Sequence, residues 1–145
     1  MPDPRLHPAL LMFIAFRSAE ARIVADVAAA GFDDLTLAQG RVAARIGPNG
    51  TRLTDLAEQA QITKQSAGFL VDQLEKAGYV ERVPDPTDAR ARLVRLAPRG
   101  AAVQARARRT ERAIERDWER HLGKEQMEAL RSALEALREI TDPYA

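Results

Sequence analysis

The sequence predicts a mainly α-helical protein with one small β-hairpin. Three observations carry this. Ala, Leu, Arg and Glu dominate a chain of 145 residues in which 30% are charged and only 5% aromatic, a composition that favours helix. Apolar residues recur at helical spacing over most of the chain. Between Tyr79 and Leu96 the pattern changes to strict alternation around a polar tip, as two paired strands require.

The elements follow in order. Residues 1–8 hold three prolines and read as an irregular arm. A first helix over about 9–30 carries Leu10, Phe13, Ile14, Ile23, Val24 and Val27, and Gly31 stops it. Asp33-Asp34 offers N-caps to a second helix, about 35–46, with Leu35, Leu37, Val42 and Ile46 as core candidates. Gly47-Pro48-Asn49-Gly50 is a turn. Thr51 or Thr54 caps a short third helix that ends at Gln59 or Ala60. Thr63 caps a fourth that runs to Ala77, and Gly78 ends it. Tyr79 to Val83 and Arg92 to Leu96 are the strands, with Pro84 to Ala91 as the tip. Pro98 opens a long fifth helix to about His121. Gly123 breaks it, and a sixth helix covers about 124–141 before Pro143.

Composition excludes several functions. There are no cysteines, so disulfides, thiolate zinc sites, cysteine nucleophiles and thiol redox sensing are out. His7 and His121 are too far apart in sequence to suggest a metal site. No phosphate loop and no nucleophile–base pair stands out, and we expect no enzyme and no cofactor. The apolar run Leu10 to Phe16 is too short to span a bilayer and no cleavage pattern follows it. No membrane partner is expected, and we expect a cytoplasmic protein.

Net charge is +1, from 22 basic and 21 acidic residues. That balance does not announce nucleic-acid binding, so the placement of charge must do so. The third and fourth helices read as a helix-turn-helix. Leu56, Ala57, Ile62, Ala67, Leu70, Val71 and Leu74 can pack the pair together. The opposite face carries Gln65, Gly68, Phe69 and Asp72, with Thr63, Lys64 and Ser66 at the helix start. Lys64 can reach phosphate or guanine, Gln65 can bond adenine bidentately, and Ser66 can bond base or phosphate. Phe69 either meets a thymine methyl or tucks under the hairpin. Alone, the helix pair fits any small αα-hairpin equally well. The hairpin shifts the balance. From Glu81 to Arg99 it holds five arginines against three acids. Such a ribbon can insert a guanidinium into the minor groove. Arg90 is the expected groove residue, held by Asp88, with Arg92 and Arg95 left for phosphate or structural pairing.

The runs Leu53-Thr54-Asp55-Leu56-Ala57-Glu58, Leu70 to Arg82 and Asp85 to Leu96, followed by Gly100, closely resemble MarR-type regulators, which are bacterial winged-helix proteins. The resemblance covers essentially the whole chain. It implies a winged helix-turn-helix at 33–98, a recognition helix at 63–77, and dimerisation helices at 9–31 and 99–142. It implies a homodimer that binds double-stranded DNA, with wings in adjacent minor grooves. The wing of that family usually has an acid followed by two basic residues. Asp88 and Arg90 match, whereas Ala89 stands where a basic residue is usual. Gln61 takes a turn position often held by glycine. Family members often bind small anionic aromatic molecules between the dimer helices and the winged domain; Phe13, Phe16, Arg17 and Trp118 are the candidates here.

A dimer is also expected from the residues themselves. Met127, Leu130, Leu134, Leu137 and Ile140 form a seam, and Val103, Ala107, Ile114 and Trp118 a stripe. An intramolecular bundle is the alternative. The expected function is a sequence-specific regulator, a repressor, reading a pseudo-palindrome with two helices roughly 34 Å apart and released by a small aromatic or anionic effector. A ligand-binding or protein-interaction module of the same fold, with weak or lost DNA binding, is the alternative.

Overall fold

The computed structural model describes residues 4–144; the first three residues of the expected arm lie outside the described residues. The order is α1 (Pro8–Ala29), α2 (Leu37–Ala43), α3 (Leu53–Ala60), α4 (Lys64–Lys76), β1 (Val80–Asp85), β2 (Asp88–Leu96), α5 (Pro98–Leu122) and α6 (Lys124–Thr141). Two compact units result. One is Ala30–Arg106; the other joins the segment up to Ala29 with that from Ala107.

Several helix starts differ from expectation. At α1 the imidazole Nδ1 of His7 accepts the Ala9 N–H at 3.0 Å, so this histidine is a cap. At α2 the cap is Thr36. Its hydroxyl accepts from the Gln39 N–H, and the Gln39 side chain accepts from the Thr36 N–H, both at 3.1 Å. This reciprocal box satisfies two orphan donors at once. It leaves Asp34 free for other work, described below. At α3 neither threonine caps. Arg52 holds the N-cap position without a side-chain bond. Thr51 instead exchanges two backbone bonds of 2.8 Å with Val94, which adds a bridge to the hairpin.

The turn between α3 and α4 is as tight as a glycine turn. Gln61 adopts φ 56°, ψ 44°. Its N–H bonds Glu58 O, and the Ile62 N–H reaches back to Ala57 O, both at 3.0 Å. This is the Schellman pattern that normally selects glycine. Gly78 repeats it at the end of α4, with φ 83° and bonds from Gly78 and Tyr79 to Glu75 and Leu74. A non-glycine residue there costs about 1 kcal/mol or more. Gln61→Gly is therefore expected to raise the unfolding free energy by several tenths of a kcal/mol, up to about 1, after the added freedom of the unfolded chain is subtracted. Chemical denaturation of the two proteins checks this; a less stable variant would contradict it.

The core of the Ala30–Arg106 unit is Val42, Ile46, Leu56, Val71, Leu74, Tyr79, Val80 and Val94. Ala67 of α4 is fully buried as well, so the helix-turn-helix pair packs through the face expected of it. Tyr79 is 2% exposed. Its hydroxyl donates to the Asp34 carboxylate. The Arg99 guanidinium lies 4.2 Å from its ring centroid and also donates to Ala77 O at 2.6 Å. Burial first, and then the Asp34 hydrogen bond, push the Tyr79 phenol up to about 12 from its ordinary 10. The protonated phenol is thus favoured in the folded state. Its contribution to stability is complete below pH 10 and is lost as pH rises through about 12. A tyrosinate absorbance titration should show this late step, and Tyr79→Phe should remove it. A Tyr79→Phe curve that keeps the late step would refute the assignment.

The hairpin is longer than the sequence suggested. Register pairs run from Val80↔Leu96 to Pro84↔Arg92, then, after an irregularity between Pro84 and Asp85, to Asp85↔Asp88. Only Pro86 and Thr87 form the tip, not the whole of Pro84 to Ala91. Asp85 causes the shortening. It is 7% exposed, and its Oδ1 accepts from both the N–H and the hydroxyl of Thr87 at 2.8 Å. Its Oδ2 accepts from Arg52 at 2.7 and 2.9 Å. Those donors, the Thr87 backbone first, hold the Asp85 carboxyl down to about 2.

In the other unit, Asp26 accepts from the buried Thr110 hydroxyl at 2.9 Å, and Arg22 of α1 pairs with Asp117 of α5 at 2.6 Å. Large apolar side chains nonetheless remain exposed. On α1 these include Leu10, Phe13, Ile14 and Phe16; on α6, Leu134, Leu137 and Ile140. Among the described residues no helix is long and apolar enough to cross a membrane.

Candidate nucleic-acid interface

The start of α4 presents the residues expected of it. Thr63 caps the helix: its Oγ1 accepts the Ser66 N–H at 3.0 Å and donates to the Ser66 hydroxyl at 2.9 Å. The Thr63 hydroxyl is thereby engaged, while the Ser66 proton can still point outward. Lys64 and Gln65 are exposed beside it. Phe69 is 63% exposed, so it does not tuck under the hairpin. Gly68 is half-buried; a methyl added there would meet only Leu53 Cδ2, at an ordinary 3.7 Å. Nothing inside the protein requires glycine at this position.

Asp72 departs from the expected open face. Arg82 of β1 bonds it at 2.7 Å and Glu75 at 2.9 Å, which ties the base of the hairpin to α4. Arg95 bonds Glu81 across the strands at 2.6 Å. Arg52 is held by Asp85, with Asp88 Oδ2 a further 3.9 Å away. Asp88 does not grip the Arg90 guanidinium. Its Oδ1 accepts the Arg90 backbone N–H at 3.0 Å, which fixes the strand and leaves the guanidinium free.

The fold thus sorts its cations. Arg52, Arg82, Arg95 and Arg99 are consumed by carboxylates within the unit. Arg90 and Arg92 are exposed and have no side-chain partner among the described residues; nor has Lys64. Arg90 and Arg92 are two apart on β2 and share the parity of Val94. Val94 pairs directly with Arg82, which reaches α4. The free arginines therefore stand on the face of the ribbon that carries Arg82 toward α4. Sequence reasoning named Lys64, Arg90 and Arg92 as candidates but expected Asp88 to hold the Arg90 side chain, whereas Asp88 takes only its backbone N–H. It missed the bonds of Arg52, Arg82 and Arg99, because their acidic partners lie 7–65 residues away in the chain.

The candidate effector residues are less coherent. All four lie in the unit of terminal helices. Arg17 lies 5.8 Å from the Phe13 ring centroid, and Phe13 and Phe16 are exposed. Trp118 lines a cavity of about 400 Å³ walled by α1, α5 and α6. Among the described residues no group of three or more His, Cys, Asp or Glu could hold a metal ion.

A helix-turn-helix whose second helix is followed by a twisted, arginine-bearing ribbon is a winged helix-turn-helix. Residues 33–91 match the family model described as MarR family, and the six helices with one antiparallel hairpin are the MarR winged-helix fold. Wild-type MarR from E. coli in its apo form is 20% identical over 92% of this chain and 98% of its own, with a TM-score of 0.71. A transcriptional regulator from Thermotoga maritima is 24% identical over 91% of each chain, with a TM-score of 0.63. RV1404 from Mycobacterium tuberculosis is 21% identical over 98% of this chain and 99% of its own, with a TM-score of 0.71. No curated protein matches the chain by sequence.

Proposed function

We propose that the protein is a non-catalytic, sequence-specific DNA-binding transcription regulator, working in the cytoplasm as a homodimer and acting as a repressor. The sorting of cations supports it most directly. Most arginines near α4 and the hairpin are neutralised by the protein, and the cations left over are Lys64 at the start of α4 and Arg90 and Arg92 on β2. Lys64, Gln65, Ser66 and Phe69 would read the major groove, while Arg90 enters the minor groove and Arg92 meets phosphate. The exposed apolar faces of α1 and α6 supply the dimer contact, because a helix that is apolar on most sides needs more cover than its own small unit provides. The dimer would read a pseudo-palindrome, and a small-molecule effector would act by favouring one spacing of its two reading heads.

Binding-site selection from random duplexes tests the reading. It should return a two-fold site, and log affinity for that site should fall linearly with log salt. Gln65→Ala should change the selected base at one position per half-site, at roughly 1–3 kcal/mol of discrimination. Selection that enriches no motif would end the proposal.

A further inference from the structure

We infer that Arg52 positions the outer part of the hairpin, and through it the guanidinium of Arg90, an inference that rests on the reading of the hairpin as a DNA contact. Arg52 is a poor choice for its own helix. It stands at the N-cap of α3 and makes no side-chain cap bond there, where Ser, Thr, Asp or Asn would satisfy a backbone donor. Its Nε and one terminal nitrogen instead both donate to Asp85 Oδ2, at 2.9 and 2.7 Å, across 33 residues of chain. The Asp85 side chain is only 6% exposed. A carboxylate that deep depends on its partner far more than one on the surface does.

Asp85 sits where the hairpin is weakest. Pro84 has no N–H to give to the ladder. The register then passes from Pro84↔Arg92 straight to Asp85↔Asp88, so residues 89–91 of β2 face no register partner on β1. A bulge re-aims the side chains it carries, and Arg90 is in the middle of this one. Below the bulge the ribbon is anchored twice. Thr51 exchanges two backbone bonds with Val94, and Arg82 ties β1 to α4. Beyond the bulge, every ion pair that residues 85–92 make among the described residues goes to Arg52. The chain of contacts is short. Arg52 holds Asp85, Asp85 pairs with Asp88, and Asp88 Oδ1 accepts the Arg90 N–H at 3.0 Å. Without Arg52, the segment that carries Arg90 hangs from a proline and a bulge.

Two substitutions separate positioning from charge and from stability. Arg52→Thr removes the tie and gives α3 the cap it lacks, so the denaturation midpoint should barely move. Asp85→Asn keeps an acceptor for Thr87 but turns an amide NH2 toward Arg52, which releases a cation. Charge alone predicts tighter DNA binding for Asp85→Asn, whereas lost positioning predicts weaker binding. In DNA-free protein, the NMR order parameters of residues 87–91 should fall from about 0.85 to below about 0.6 in both variants, while those of residues 80–83 stay high. Both variants should bind a random duplex roughly 3- to 10-fold more weakly than the parent. Arg90→Ala should then weaken either variant at least about threefold less than it weakens the parent, although Arg52 and Arg90 do not touch. Gln65→Ala, by contrast, should be additive with both. Unchanged order parameters overturn the inference, and so does Asp85→Asn that binds as tightly as the parent or tighter, or additivity with Arg90→Ala. Arg90→Ala that leaves the parent's binding unchanged would refute the hairpin as a DNA contact instead; the order parameters, measured without DNA, still decide the role of Arg52.

Discussion

Alanine at both Arg90 and Arg92 is expected to weaken binding to specific and random duplexes alike, by one to two orders of magnitude at moderate salt. If each guanidinium neutralises one phosphate, the slope of log affinity against log salt should become less steep by about 0.9 per residue, or about 1.8 for the pair. The variant should keep its stability. Both side chains are exposed and have no partner within the described protein, and surface changes of that kind usually fall within about 0.5 kcal/mol. Arg82→Ala is the informative contrast. It breaks the bonds to Asp72 and Glu75, frees two acids on α4, and should lower both stability and affinity. Salt titrations that run parallel for the parent and the double variant would place Arg90 and Arg92 away from the DNA.

The architecture was legible in the sequence because it rests on local and periodic signals. Helix ends at Gly31, Gly78 and Gly123, the proline start of α5, and the change from helical to alternating period all lie within a few residues of what they determine. Where reading failed, the cause was competition between local devices. Asp33-Asp34 and Thr36 can each cap a helix at that point. Thr36 prevails because Gln39 answers it, and because Asp34 is drawn to Tyr79 and Arg99, 45 and 65 residues away. Thr51 is a fair cap by type, but Val94 claims its backbone. The short tip depends on Asp85 finding Thr87 on one side and Arg52 on the other, and only the folded chain brings Arg52 there. The same limit governs the interface. Residue type identified the arginines that could bind DNA, and long-range pairing decides which of them are free to do so.

Two glycines within helices should respond to alanine in opposite directions. At Gly100, in the first turn of α5, an added Cβ would fall inside the envelope of the Tyr79 carbonyl oxygen and 3.1 Å from Leu96 Cδ2. The oxygen cannot retreat cheaply. It accepts the Ala97 N–H at 3.0 Å, and its residue is pinned by the buried phenol, Asp34 and Arg99. Overpacking against backbone costs roughly 1–3 kcal/mol and more where nothing can move, and Gly100→Ala should sit at or above the top of that range. Because small domains are stable by only about 5–15 kcal/mol, the loss should appear as a large drop in the denaturation midpoint, or as failure to accumulate folded protein. At Gly68 the added methyl meets only ordinary contact with Leu53, so helix propensity decides and Gly68→Ala should gain up to about 1 kcal/mol. If Gly68→Ala is more stable yet binds DNA less well, the missing methyl at Gly68 serves the approach of the duplex. If it is more stable and binds equally well, no close approach occurs at this residue. A Gly100→Ala protein as stable as its parent would mean that the strand–helix junction at Tyr79 yields far more easily than its hydrogen bonds indicate.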